Sequence, residues 1–429
     1  MIRFLYNLLF PLALVIFLPG YVVKMLRRGN YRDKFWQRLG FYDAETRARL
    51  TAGVTWLHAV SVGEVMIALK LAAEMKKQEP ALRVALTTTT TTGRALARKQ
   101  APDWIDVLYT PLDFWPIMRR AFAVIRPARI ILVEAEVWPN LTAIAHRRKI
   151  PLALVNARLS PRSEGRFRKF NLFVRPYFCM LDLICVQEPE DVARWQSLGA
   201  EHDRIHPVGS IKYDPENAAS NSAGPRAVLQ QLGVDFDRPI LLAGSTHDGE
   251  EEILGRIFLE LRHDLPDLFL IIAPRHVERT SEIESSLRAL GLESTRRSSA
   301  GSVAAADCLL LDTTGELRDW YSVATVVFIG KSLTARGGQN PVEAIVADRP
   351  VVFGPHMENF AQLSRALLAA GGALQPGDEA SLTTTLRDLL RDGSRRGNLI
   401  RQARTVLDPH REATERTAQL LEKLPVPAG

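Results

Sequence analysis

The chain lacks most of the signatures that mark the common chemistries. Only 3 of its 429 residues are cysteine, Cys179, Cys185 and Cys308. They show no C-x-x-C spacing and their count is odd, which argues against a disulfide scaffold and for a reducing, cytosol-facing compartment. No G-x-G-x-x-G occurs, against a dinucleotide redox cofactor, and no H-E-x-x-H occurs. The stretch "FIGKS", 328 to 332, has the end of a phosphate loop without its leading glycine, against Walker-type ATP chemistry. No acidic or Cys/His cluster has metal-ligand spacing, so no metal and no cofactor is expected. With 46% hydrophobic and 24% charged residues, disorder is excluded and two or three domains with real cores are allowed.

What is present begins with charge. Lys and Arg number 55 against 48 Asp and Glu, a net +7, which favours acidic partners: nucleic acid, anionic lipid or phosphorylated small molecules. Phe4 to Val23 carries no charge over about 20 residues, enough to cross a hydrocarbon core. No small-residue cleavage site follows. Lys24, Arg27, Arg28 and Arg32 come at once, so residues 1–24 read as an uncleaved anchor with the bulk of the chain on the cytoplasmic side. Pro11 and Pro19-Gly20 keep open a monotopic segment lying in the interface, and a buried core helix is the plain alternative.

From Val54 on, strands alternate with helices: "VTWLHAV", "RVALTTT", "IDVLYTP", "RIILVEAE" and "PLALVNAR" in the first half, "PILLAGST", "LFLIIAPR", "CLLLDT", "VVFIG" and "PVVFGP" in the second. This alternation predicts two doubly wound α/β halves with parallel sheets, and a ligand cleft between the carboxyl ends of their strands. The expected domains are 25–212 and 225–405, joined by the polar stretch "KYDPENAASNSAGPRA", with 406–429 as a closing helix and tail. The threonines Thr87 to Thr92 fit a β-branched strand end meeting a capped helix.

The candidate chemistry lies at strand ends. In "SVGEV", Ser61 and Glu64 have the spacing of a capping box; Glu64 also suits a base at the mouth of a cleft. Glu134 and Glu136, at the end of "RIILVEAE", fall on one face by period-2 alternation, as functional acids or as a solvated strand end. In the second half, "GSIKYD" offers Lys212, "AGSTHDGEE" offers Gly244, Ser245 and Thr246 before a helix, and "IIAPRH" offers Arg275. "DTTGEL" supplies a polar turn, and "GGQNPVEA" has Asn340 as N-cap with Glu343 in the first turn. Together these read as one nucleotide pocket.

Taken in order, "SVGE", "EAEVWPN", "NARLS", "GSIKYD", "GSTHDGEE", "APRH", "DTTGEL" and "GGQNPVEA" closely resemble the 3-deoxy-D-manno-octulosonic acid (Kdo) transferases of lipopolysaccharide assembly, over nearly the whole chain. The resemblance implies an inverting, metal-independent GT-B glycosyltransferase that moves Kdo from CMP-Kdo to the glucosamine of a lipid A precursor. It would act at the cytoplasmic face of the inner membrane, on an anionic surface and with no nucleic-acid partner. By the same resemblance Glu64 is the catalytic base, Glu134 and Lys212 stabilise the transition state, and Pro274, Arg275, Gly315, Glu316, Leu317, Asn340, Pro341, Val342 and Glu343 contact CMP. The family motif often has Thr where this chain has Ala135. Two rivals stay open: a membrane-associated GT-B transferase with a UDP donor, and a basic membrane-surface adaptor without catalysis.

Overall fold

The computed structural model describes residues 2–28, 34–50, 53–159, 161–215, 221–235, 237–300 and 306–425, without the side chains of residues 17–19, 21–28, 161 and 162. The basic side chains expected to orient the N-terminus, those of Lys24, Arg27, Arg28 and Arg32, therefore lie outside the described residues, as do 216–220 of the polar linker. The chain divides into two units, Met1–Asp214 with His410–Gly429, and Pro215–Pro409.

The first unit holds a parallel sheet of seven strands: β1 (Val54–Ala59), β2 (Val84–Thr88), β3 (Ile105–Tyr109), β4 (Pro127–Val133), β5 (Leu152–Ala157), β6 (Leu183–Val186) and β7 (Ile205–Pro207). Their order is β3-β2-β1-β4-β5-β6-β7, so the winding reverses between β1 and β4. Near-continuous apolar strands suit a sheet covered on both faces. Along β1, Trp56 packs into one core with Phe122, and Leu57 into the opposite core with Leu71 and Val133. The closing helix Ala413–Glu422 returns to this unit and sets Ala418 and Leu421 into the same core as Val65, Ala68 and Leu71 of the helix Val62–Gln78.

The second unit repeats the plan with β8 (Ile240–Thr246), β9 (Phe269–Pro274), β10 (Ser294–Arg296), β11 (Cys308–Leu310), β12 (Val326–Ile329), β13 (Val351–Phe353) and β14 (Ala373–Leu374). The order is β10-β11-β9-β8-β12-β13-β14, all parallel, with the reversal between β8 and β12. Two doubly wound α/β units are therefore present, as the alternation of strands and helices predicts.

Two expectations change. The N-terminal segment forms a helix, Ile2–Arg28, but its first turns are tied into the first unit rather than standing apart. Asn7 exchanges hydrogen bonds with Asn140 at 3.0 Å, and Phe10 stacks on Phe114 at 5.2 Å. Among the described residues no helix is long and apolar enough to cross a membrane. The second change concerns β4, which stops at Val133. Glu134 has φ of 63°, a left-handed turn, so strand alternation does not set where Glu134 and Glu136 point.

Candidate active site

In a doubly wound sheet the ligand crevice opens at the carboxyl ends of the strands where the winding reverses. In the first unit those strands are β1 and β4, and they lead directly into Ser61–Glu64 and Glu134–Glu136. After β1 the chain turns into the helix Val62–Gln78 with Ser61 as N-cap, and the capping box is complete. Glu64 Oε2 accepts from the Val60 N–H at 2.8 Å, and Oε1 accepts from the Ser61 hydroxyl at 2.8 Å and the Ser61 N–H at 3.3 Å. A carboxylate offers about four lone-pair sites. Three hydrogen bonds leave one site open, so the capping role does not consume the whole carboxylate.

After β4, Glu134 is held in its left-handed turn by backbone bonds to β5 and the segment beyond it. Its N–H donates to the Val155 carbonyl at 3.0 Å, and its own carbonyl accepts from the Arg158 N–H at 3.4 Å. Burial, then the nearby Glu64 carboxylate, push the Glu134 carboxyl above its ordinary range, while Arg158 and Lys212 pull it back. Burial and Glu64 likewise lift Glu136, to about 7, against a hydrogen bond from Trp138. Lys212 is lowered by burial, opposed by Glu134. Three carboxylates and two cations thus share one desolvated neighbourhood, where electrostatic effects on a reacting group are largest.

Lys212 reaches this cluster from beyond β7, and Asn156 at the end of β5 holds its turn. The Asn156 Oδ1 accepts from the Ile211 N–H at 3.0 Å and from the Ser210 hydroxyl at 3.3 Å. Arg158 and Asn156 have no assigned role in the sequence reading although both lie in "NARLS". Their signal is positional: they follow a buried strand next to the reversal point.

In the second unit the corresponding reversal point is filled by protein. The buried Glu250 carboxylate accepts from the N–H groups of Lys331 at 2.7 Å and of His247, Ser332 and Leu333 at 2.9 Å each. Within "FIGKS" the Lys331 and Ser332 amides are committed to this carboxylate and the Gly330 amide to the Gly244 carbonyl, which leaves these donors unavailable to a phosphate. Gly244 lies against Tyr321, whose hydroxyl would stand 2.5 Å from an added Cβ, and Ser245 takes a positive φ beside it. The outer rim is basic. Arg275 is exposed at the end of buried Pro274, its N–H on the Thr246 carbonyl at 3.0 Å, and the His247 and His276 rings meet edge-on at 5.5 Å. Burial and Lys331 hold His247 below its usual pKa, keeping it neutral as a donor or acceptor.

The remaining expected CMP contacts lie on loops of the same unit. Gly315 is exposed, and Glu316 accepts from Arg297 Nε at 3.1 Å at the start of the short helix Leu317–Tyr321. The Asn340 Oδ1 accepts from the Val342 N–H at 3.1 Å, with Pro341 at the N-cap position, Val342 buried and Glu343 exposed. Gly338 allows this loop to close: an added Cβ would stand 2.4 Å from the Met357 sulfur, at φ of 69°. Among the described residues, no group of three or more His, Cys, Asp or Glu side chains could hold a metal ion.

The family model described as 3-Deoxy-D-manno-octulosonic-acid transferase (kdotransferase) matches residues 33–215. The 3-deoxy-D-manno-octulosonic acid transferase of Bordetella pertussis is 34% identical, over 96% of this chain and 98% of its own. That of Haemophilus influenzae is 31% identical, over 98% of each chain. In fold alone, the UDP-GlcNAc 2-epimerase of Neisseria meningitidis is similar at 12% identity, with a TM-score of 0.54 over 86% of this chain and 99% of that one. With such identity along its whole length and the acids of "SVGE" and "EAEVWPN" at one reversal point, the chain belongs to the 3-deoxy-D-manno-octulosonic acid (Kdo) transferases, which are glycosyltransferases.

Proposed function

We propose that this Kdo transferase takes the sugar from CMP-Kdo, with inversion, and places it on a glucosamine hydroxyl of a lipid A precursor at the cytoplasmic face of the inner membrane. The observation that carries the reading is the carboxylate cluster Glu64, Glu134 and Glu136 with Lys212 and Arg158 at the first unit's reversal point. Glu64 takes the proton of the attacking hydroxyl as the anomeric carbon becomes electrophilic. Glu134 faces the positive charge that builds on the sugar, and Lys212 opposes the rise of the Glu134 carboxyl and offers a donor for developing negative charge. Arg275 and its basic rim take the phosphate of the departing cytidylate, and the loops at Gly315–Leu317 and Asn340–Glu343 take the rest of the nucleotide. A monophosphate leaving group has no bridging diphosphate that would call for a divalent ion. EDTA is therefore expected to leave the transfer rate unchanged, and a rate restored only by magnesium after chelation would refute this step.

The apolar stripe of the helix Ile2–Arg28 supports attachment to a membrane. Phe4, Leu8, Leu12 and Val15 recur at helical spacing and are 73%, 59%, 62% and 69% exposed, with Ile16 beside them. A helix of this kind lies in the interface plane, and the net charge of +7 favours an anionic surface. The test is mass spectrometry of the product after mixing the protein with CMP-Kdo and a tetraacylated lipid A precursor. A product heavier by one or more Kdo units is expected. Thermal protection by UDP but not by CMP, with no Kdo product, would favour the UDP-sugar alternative.

A further inference from the structure

Asn7 is out of place in an apolar run. It is flanked by Phe4, Leu5, Leu8, Leu9 and Phe10, and an unpaired buried amide is costly. Here every polar atom of its amide has a partner. The Asn7 Nδ2 donates to the Arg3 carbonyl at 2.8 Å and to Asn140 Oδ1 at 3.0 Å. The Asn7 Oδ1 accepts from Asn140 Nδ2 at 3.0 Å and from the Trp115 N–H at 2.9 Å. The far side of this junction is equally specific. Asn140 is fully buried, and its Nδ2 also donates to the Asp113 carbonyl at 2.7 Å. The Asp113 carboxylate accepts the N–H groups of Asn140 and Leu141, both at 2.9 Å, and the hydroxyl of Tyr6. Asp113 thereby caps the helix Pro139–Arg147, and the N-terminal helix supplies two of the side chains that complete the cap.

The helix so capped is the one that follows Glu134 and Glu136, and Asn140 stands four residues after Glu136 in "EAEVWPN". A segment serving only to attach the protein to lipid has no use for a reciprocal amide pair closed onto a fully buried Asn140; one that must hold a fixed position relative to the reacting groups does. We propose that Asn7 and Asn140, with Tyr6 on Asp113, form a positioning latch. It sets the lipid-facing helix against the turn of Glu134 and Glu136, so that an acylated acceptor held along that helix presents its hydroxyl to the carboxylates. The inference rests on the lipid-acceptor reading above. Asn7, Tyr6 and Asn140 are positioning residues here and touch no substrate.

The latch matters only for an acceptor whose acyl chains engage the helix. The full chain, in vesicles of phosphatidylethanolamine and phosphatidylglycerol, is assayed with CMP-Kdo and two acceptors: the tetraacylated precursor and its fully deacylated, water-soluble form. For Asn7→Leu, which keeps the apolar face and removes the amide, kcat/KM toward the acylated acceptor should fall by about tenfold, the scale of a lost hydrogen-bonding pair. The KM for CMP-Kdo and kcat/KM toward the deacylated acceptor should stay within about twofold of wild type. Tyr6→Phe, which removes one hydroxyl, should show the same split in milder form, with melting close to wild type. Equal losses on both acceptors would make the pair merely structural and overturn the proposal, and so would no loss on either. A wild-type protein that modifies neither acceptor would instead refute the functional reading beneath it.

Discussion

At the scale of single residues, Glu64 and Glu136 share one crevice and invite different tests. Glu64 is fixed by three hydrogen bonds, from the Val60 and Ser61 N–H groups and the Ser61 hydroxyl. Replacing it by Gln keeps one acceptor oxygen for the backbone and removes the basic lone pair. Glu64→Gln should therefore cost about 1 kcal/mol in chemical denaturation, the size of a weakened cap, and lower Kdo turnover by about 100-fold or more. Near-normal turnover would remove the base from Glu64 and leave Glu134 as the next candidate. Glu136 is lifted from 4.5 to about 7 by burial and by Glu64. Between those values the folded chain keeps a proton that the unfolded chain releases, so this group's contribution to stability falls as pH rises from about 4.5 to about 7. Glu136→Gln, which carries no charge at any pH, should remain as stable at pH 7.5 as at pH 5 relative to wild type's decline, as urea melts at the two pH values would show. A parallel pH dependence in variant and wild type would mean that Glu136 titrates normally.

At the scale of elements, the turn after β4 shows both how much of the site sequence makes legible and where legibility stops. The strand "RIILV" is evident from its apolar run, and the capping box of "SVGE" from its spacing, because both are local patterns. The left-handed Glu134 is not, since a glutamate has no intrinsic preference for positive φ, and only the bonds to Val155 and Arg158 from β5 and beyond impose it. β7, β10 and β14 escape the sequence because two or three residues without a sustained apolar run leave nothing to read, whereas the equally short β11 and β13 show as apolar runs; β6, "LICV", is apolar as well and is missed without a local reason. The docking of Asn7 on Asn140 joins positions 133 residues apart and leaves no local trace. Backbone strain at Glu134 makes it a candidate for function rather than stability. Two substitutions separate these. Glu134→Gly relieves the left-handed φ whereas Glu134→Ala retains it, so the Gly variant should be the more stable by about 1 kcal/mol, reversing the usual order for a non-helical site. Both should lose Kdo transfer together. An Ala variant at least as stable as Gly would show that the turn relaxes once the side chain is gone.

At the scale of the whole molecule, the chain leaves the first unit at Asp214 and rejoins it at His410, and both ends of that excursion are pinned to each other. The Asp214 carboxylate accepts from the Thr414 N–H at 2.9 Å, Arg416 Nη2 donates to the Val208 carbonyl at 2.8 Å, and the Ser210 N–H donates to His410 Nδ1 at 3.2 Å. Lys212 lies inside this junction, so its position depends on residues almost two hundred further along the chain. His410 links this junction to pH. Burial, with Arg416 nearby, depresses it from 6.5 to about 4, and as a neutral ring it accepts the Ser210 proton; protonated, both its nitrogens are donors and that bond is lost. Between about 6.5 and 4 the unfolded chain binds a proton that the folded chain refuses, so the stability contributed by this group is present above 6.5 and declines as pH falls through the window. The sign is opposite to that of Glu136, and the two variants separate the contributions. His410→Asn keeps an oxygen to accept the Ser210 N–H and cannot be protonated. It should lose less stability than wild type between pH 7 and pH 4.5 in urea titrations, and retain more transfer after brief exposure to pH 4.5. If His410→Asn instead falls off with acid as steeply as wild type, the acid sensitivity belongs to another buried group, of which His58, also depressed to about 4 by burial, is the next to test.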